Sequence, residues 1–166
     1  MINPVNNHAH YITLLCSIIF CMPVFAESLN CPCKVSKVLN GDTVYVQDQY
    51  RSSRKIWMAG INAPTKDQNY GEQSRQNLIK LVLGQFVEVE YMQRDRYGRI
   101  IGKLIKEGQD INLQQIRDGY AQHYKQGKDE QSKLDHAEYS ASESEAKQQQ
   151  LGLWPVTVST PRTLKY

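Results

Sequence analysis

No apolar run in this 166-residue chain reaches the length of a bilayer span. The longest, Tyr11 to Ala26, falls short of the ~18 or more residues a membrane helix needs, and Pro23 interrupts it near its end. Cysteine is scarce: four residues are too few for a disulfide scaffold, and no Cys/His spacing resembles a zinc site. Charge of one sign is not concentrated either, since 20 Lys+Arg stand against 17 Asp+Glu for a net +3, with no polybasic block. No internal repeat is visible. Disorder is excluded by a 40% apolar content with ten Tyr, two Trp and many Val, Ile and Leu. The length suits one globular domain.

The apolar segment, Tyr-Ile-Thr-Leu-Leu-Cys-Ser-Ile-Ile-Phe-Cys-Met-Pro-Val-Phe-Ala, carries no charge, and Val24-Phe25-Ala26 fits the small-residue cleavage pattern of a secretory signal. The n-region departs from that pattern, with His8 and His10 but no Lys or Arg. Residues 1–26 are expected to be a signal peptide and the protein to be exported, periplasmic or secreted, without stable membrane insertion after cleavage. An uncleaved anchor is the alternative. Cleavage removes Cys16 and Cys21 and leaves Cys31-Pro32-Cys33, which could close a small ring, pair with another molecule or stay reduced. Its place just before the first strand suits a local clasp better than catalysis.

Beyond a short N-terminal segment (27–33), the pattern from Lys34 to Ile105 is strand-like. Val35, Val38, Val44, Val46, Ile56, Met58, Val87, Val89, Ile100 and Leu104 fall in short runs, several alternating with polar residues. Asn40-Gly41 lies between two runs and reads as a hairpin turn. Gln73 to Leu83 interrupts the strands as a helix with Leu78, Leu81 and Val82 on one face and Gly84 as its C-cap. From Asp110 the period becomes helical. Ile111, Leu113 and Ile116 lead to an Asp118-Gly119 stop, and a further helix is expected from about Glu130 to Gln150, with Leu134, Ala137 and Ala141 on its apolar side. Gly152 ends it, Leu153-Trp154 can fold back as a plug, and residues 155–166 read as an irregular tail. The fold class expected is α+β: a five-stranded OB-like barrel with about three helices, spanning 34–154.

Six short motifs carry more. They are Val38-Leu39-Asn40-Gly41-Asp42-Thr43-Val44, Met58-Ala59-Gly60-Ile61-Asn62-Ala63-Pro64, Tyr70-Gly71-Glu72-Gln73, Asp95-Arg96-Tyr97-Gly98-Arg99, Gly119-Tyr120-Ala121 and Leu151-Gly152-Leu153-Trp154. In this order and spacing they closely resemble the staphylococcal nuclease (thermonuclease) family, from roughly Lys34 to Trp154. The resemblance implies a calcium-dependent phosphodiesterase acting on DNA and RNA. Such chemistry suits oxygen ligands for a hard cation, two guanidiniums on the phosphoryl oxygens and a carboxylate that orients water.

Carried over position by position, the resemblance makes Asp42 a metal-binding aspartate and Arg99 a catalytic arginine. Tyr97 and Tyr124 become aromatics of the nucleotide site. Three other positions depart from the family pattern: Trp57 replaces the first arginine, Asn62 the second metal aspartate, and Thr65 the glutamate that acts on water. Asn40 stands where the turn usually has Asp. Asn62 can still offer a carbonyl oxygen to calcium, but with less charge, so the calcium site is expected to be weakened or absent. Lys55 is a candidate stand-in for the lost arginine, on the same strand face as Trp57 but about 6.8 Å away. Asp67 is a candidate stand-in for the lost glutamate.

Each residue also has a plainer reading. Asp42 could merely complete the turn, Arg99 could be a solvated strand residue, and Trp57 could be a stacking platform or extra core, the latter preferred. His123 and His136 read as isolated surface histidines. Two functions remain: an exported nuclease with weak or lost activity, or a non-catalytic pseudo-nuclease binding nucleic acid or a protein partner through its barrel. Charge is unevenly placed, with 13 Lys+Arg and 9 Asp+Glu in residues 27–109 against 7 and 8 in 110–166. The positive excess belongs to the barrel half.

Overall fold

The structure is a computed structural model that describes residues 28–95, 97–126 and 131–155, with the side chains of residues 28–31, 91 and 92 outside the description. The expected signal peptide, Arg96, the side chain of Cys31 and the tail beyond Pro155 lie outside the described residues. Among the described residues eight strands and three helices follow one another: β1 (Ser28–Asn40), β2 (Thr43–Gln47), β3 (Ser53–Met58), β4 (Ile61–Asn62), α1 (Gly71–Val82), β5 (Phe86–Arg94), β6 (Ile100–Lys106), β7 (Gln109–Asp110), α2 (Ile111–Arg117), β8 (Gln122–His123) and α3 (Lys133–Gln148). Among the described residues no helix is long and apolar enough to cross a membrane.

The main sheet runs β3-β2-β1-β5-β6-β7, and an additional β3–β6 pairing closes its five principal strands into a mixed barrel. Closure is parallel, with Ile56 opposite Ile100, Trp57 opposite Ile101 and Met58 opposite Gly102. One long strand, β1, serves two neighbours, bending through register shifts as it passes from β5 to β2. It starts at Ser28, ahead of Lys34, where the barrel was expected to begin. The alternating Val35, Val44, Val46, Ile56, Met58, Val87, Val89 and Leu104 side chains point inward and are fully or almost fully buried, together with Leu78 and Val82 of α1 and Ile111 and Ile116 of α2. Cys33 is buried in the same core.

The β1–β2 turn is packed without spare room. Gly41 is needed for space rather than for a left-handed backbone. A Cβ there would stand 1.7 Å from Ser74 Oγ and 2.9 Å from the Ala63 Cβ. Ser74 cannot easily turn aside, because its hydroxyl donates to the Tyr120 carbonyl at 2.6 Å. Gln115, buried in α2, donates to the Gly41 carbonyl at 2.7 Å and accepts from Asn77 Nδ2 at 2.7 Å. Asn112, equally buried, donates to the Ala59 carbonyl at 3.0 Å and accepts from the Leu104 amide at 3.1 Å. Two carboxamides in one apolar core thus satisfy backbone groups that the barrel bends leave unpaired.

The helices depart from expectation in one respect. α1 and α2 bury the residues their periodicity indicates, but Leu134 of α3 is 76% exposed, and Ala137 and Ala141 face solvent as well. The buried face of α3 is Tyr139, Ser142, Glu143 and Ala146. Polar partners explain the rotation. Tyr139 donates to Asp110 at 2.8 Å, Glu143 accepts from the His123 amide at 3.1 Å, and Lys103 bonds Asp135 at 2.9 Å. Asp110 also caps α2 by accepting from Leu113 N at 3.0 Å. At the C-terminal end the Leu153 amide donates to the Gly119 carbonyl at 2.8 Å, and Lys147 Nζ lies 4.3 Å over the half-buried Trp154 ring, so Leu153-Trp154 folds back as expected.

Replacing Gly41 by Ala forces a methyl group into the Ser74–Ala63 contact. The variant should lose about 1–3 kcal/mol, as overpacked sites do. The check is a lower urea midpoint with an unchanged m-value.

Candidate functional site

Barrel closure and the β4–β8 ribbon together form a cavity. Ile56 and Ile100 point into the core, so their neighbours on the pleat, Trp57 on β3 and Arg99 and Ile101 at the start of β6, stand on the outer side of the seam. The ribbon pairs Ile61 with His123 and Asn62 with Gln122, and Tyr124 N donates to the Gly60 carbonyl at 2.8 Å, bringing the ribbon alongside. The resulting cavity, of about 210 Å³, is lined by Trp57, Ile61, Asn62, Arg99, Ile101 and Tyr124. It is open to solvent, its walls are mainly aromatic and aliphatic, and Arg99 supplies its charge.

Asp95 fixes that charge. Its Oδ1 accepts from the Tyr97 and Arg99 amides, both at 2.9 Å, and its Oδ2 accepts from Arg99 Nε. Gly98 closes the loop with φ 72° and donates to the Asp95 carbonyl at 2.9 Å. Partial burial opposes the Asp95 charge, but the amides of Arg99 and Tyr97 and the Arg99 guanidinium outweigh it and hold its carboxyl below the usual range. With Nε occupied, the guanidinium lies 4.1 Å over the Trp57 ring and 5.2 Å from the Tyr97 ring centre. Trp57 is therefore the wall of an open cavity and not the core filling preferred from sequence. Tyr97 is 67% exposed at the rim.

The other expected site residues are placed less centrally. Asp42 is only 3% exposed. Its Oδ1 accepts from the Thr43 hydroxyl at 2.7 Å and its Oδ2 from the Ala63 amide at 3.0 Å. Burial pushes its carboxyl above the ordinary value, against those hydrogen bonds and the nearby charge of Lys55. Lys55 is exposed on the Trp57 face of β3, outside the cavity wall. Thr65 and Asp67 are exposed on the loop before α1, where the Thr65 amide donates to Gln68 Oε1 at 2.8 Å.

For calcium, this donor set is poor. A hard divalent cation takes six to eight oxygens, usually with several carboxylates. Here one buried carboxylate has both oxygens engaged by protein donors, and its neighbour Asn62 is neutral. Among the described residues no group of three His, Cys, Asp or Glu is placed to hold a metal ion. The residues present do not fit the calcium centre that the family resemblance implies.

Two features were not anticipated from sequence. A second cavity, of about 360 Å³, shares Asn62 with the first and is lined by Ala63, Pro64, Thr65, Gln68 and Gln122. Its carboxamides come from the 62–68 stretch and from Gln122, which the β4–β8 pairing brings alongside Asn62. The histidines are the other surprise and a correction. His123 is 5% exposed, its ring nitrogens lie 2.9 Å from Ser140 Oγ and from Gln131 Oε1, and the His136 ring is 4.6 Å away. Burial holds its pKa below the ordinary histidine value. They are a packed pair anchoring α3 to β8, and no spacing signal joined them because 12 residues separate them in the chain.

A closed mixed barrel with three helices and a guanidinium poised at its seam is the architecture of a nuclease-type OB-fold. Comparison with known proteins agrees: residues 55–156 match the family of staphylococcal nuclease homologues. An uncharacterized endonuclease of Escherichia coli is 39% identical over 137 residues, covering 82% of this chain and 84% of that protein. A micrococcal nuclease of Shigella flexneri is 32% identical over 130 residues, covering 73% and 72%. The staphylococcal-like nuclease CAN1 of Arabidopsis thaliana is 32% identical over 100 residues, covering 60% of this chain and 29% of that protein. The chain belongs to the staphylococcal nuclease family.

The state of Asp42 is testable through pH. Because its folded pKa is raised, the folded protein keeps this proton to higher pH than the unfolded chain does. Its contribution is therefore fully present at acid pH, below the ordinary carboxylate range, and is lost as pH rises through the raised value. In Asp42→Asn, the amide can donate to Thr43 while the carbonyl accepts from Ala63. The variant should show a higher urea midpoint than the parent at pH 7, with the difference shrinking toward pH 3.

Proposed function

We propose that this protein is an exported nucleic-acid-binding member of the nuclease family whose phosphodiester cleavage is slow. The observation that carries the reading is Arg99. Its Nε is tied to Asp95 and its face is stacked on Trp57, while among the described residues its two terminal nitrogens meet no protein acceptor at the cavity that Tyr124 and Trp57 wall. A planar cation between aromatic faces suits a phosphate with a base stacked beside it.

Slow cleavage follows from the residues around that cation. Trp57 cannot donate a second pair of hydrogen bonds to a phosphoryl group, and loss of one such donor costs ~10²–10³ in rate. Removing an arginine that stabilises phosphoryl transfer costs up to ~10³–10⁵. Thr65 has no carboxylate to orient water. In their place Trp57 offers a broad stacking surface, which favours holding a strand over cutting it. The relatives' names, endonuclease and micrococcal nuclease, support nucleic acid as the ligand. The uncharged segment ending at Ala26 supports export.

The purified protein should bind single-stranded oligonucleotides with salt-dependent affinity. It should cleave them, with calcium or with chelator, orders of magnitude more slowly than micrococcal nuclease. Arg99→Ala should remove binding and residual cleavage together, and Trp57→Arg/Asn62→Asp/Thr65→Glu should raise cleavage. Flat titrations at low salt would overturn the nucleic-acid reading. Calcium-dependent turnover at the micrococcal rate would overturn the slow one.

A further inference from the structure

Outside the cavity, the register of β1, β2 and β3 assembles a row that no sequence motif announces. Lys37 is directly opposite Tyr45, and Tyr45 is directly opposite Lys55. The three side chains therefore stand side by side across three strands, about 4.8 Å apart per step. Lys37 and Lys55 are exposed and Tyr45 is half-buried between them. Lys55 and Trp57 share a face of β3, and Arg99 lies 4.1 Å over Trp57, so the row runs into the cavity without a break. Lys34, exposed in the next register row opposite Gln47, extends the same face.

The charges of this row stand apart from the molecule's ion pairs. Lys103, Lys125, Lys147, Arg54, Arg75 and Arg117 all sit within 4.0 Å of a carboxylate. Among the described residues no ion pair is recorded for Lys34, Lys37 or Lys55. Three adjacent lysines with no such ion pair, and with a tyrosine ring between two of them, form a surface for a flexible polyanion that also has flat faces to stack.

We infer that the outer face of β1–β3, through Lys37, Tyr45 and Lys55, is a binding track for single-stranded nucleic acid leaving the Arg99 cavity. The lysines take phosphates and Tyr45 stacks a base. The inference rests on the nucleic-acid reading above and adds to it where the rest of the strand lies. Its span suits the handful of nucleotides that one OB-fold barrel engages.

Length dependence tests it. Fluorescein-labelled oligo-dT of two and of twelve nucleotides is titrated in chelator at several salt concentrations. The parent should bind the twelve-mer more tightly and with a steeper salt dependence than the two-mer. Lys37→Ala/Lys55→Ala should lower the twelve-mer slope by about 1.4, at ~0.7 per phosphate contact for single strands, and leave the two-mer unchanged. Tyr45→Leu should weaken the twelve-mer about tenfold. Lys80→Ala/Lys133→Ala, which removes the same charge from exposed helix positions, is the control. A twelve-mer bound no more tightly than the two-mer overturns the track. So does an equal loss of slope in the control pair. Failure of both lengths to bind the parent protein overturns the nucleic-acid reading itself.

Discussion

The parallel contact between β3 and β6 is the constraint on which the rest of the molecule depends. It converts a curled sheet into a closed barrel, and it is made by strands far apart in the chain. On its inner side Ile56, Met58 and Ile100 complete the core. On its outer side Trp57, Arg99 and Ile101 become neighbours. Core and site are two faces of one pairing, so the site's precision derives from the packing of the barrel together with the Asp95 turn that aims Arg99.

Closing so small a barrel leaves backbone groups at the bends, and the protein answers with buried side chains that carry hydrogen bonds. Asn112, Gln115, Ser74 and Asp42 each reach a backbone group of another segment. Asp42 differs from the others because it is ionisable, and its burial costs the charged form. The position that the family resemblance assigns to a metal ligand is thereby also a structural strut between the β1–β2 turn and the Asn62–Ala63 segment. These two roles compete for the same oxygens.

Much of this was legible in the chain. The strand runs, the Gly41 turn, α1 and α2 follow from periodicity and punctuation, because their buried faces are apolar. α3 was legible as a helix but not in its orientation. Its buried face carries Tyr139, Ser142 and Glu143, whose burial makes sense only once Asp110 and His123 are beside them. Arg99 was marked by its motif, yet Asp95, quoted in the same motif, had no role assigned to it, since a loop aspartate gains one only when the turn brings three donors to it. The stacking of Arg99 on Trp57 depends on the β3–β6 register, a non-local property that no local pattern encodes. The same holds for the lysine–tyrosine row, whose members lie on three strands.

Because the cavity is built on the closing seam, it is also among the last things to exist. Joining Trp57 to Ile101 requires the whole intervening segment, with α1 and β5, to be gathered in, and such long-range contacts are slow to form. An extended chain holds Arg99 and Trp57 far from each other and presents no cavity. Until the barrel closes, the groups that line the cavity are unassembled. Folding to closure is thus the step that creates the cavity, and a chain arrested short of the β3–β6 pairing would have its strands but no site.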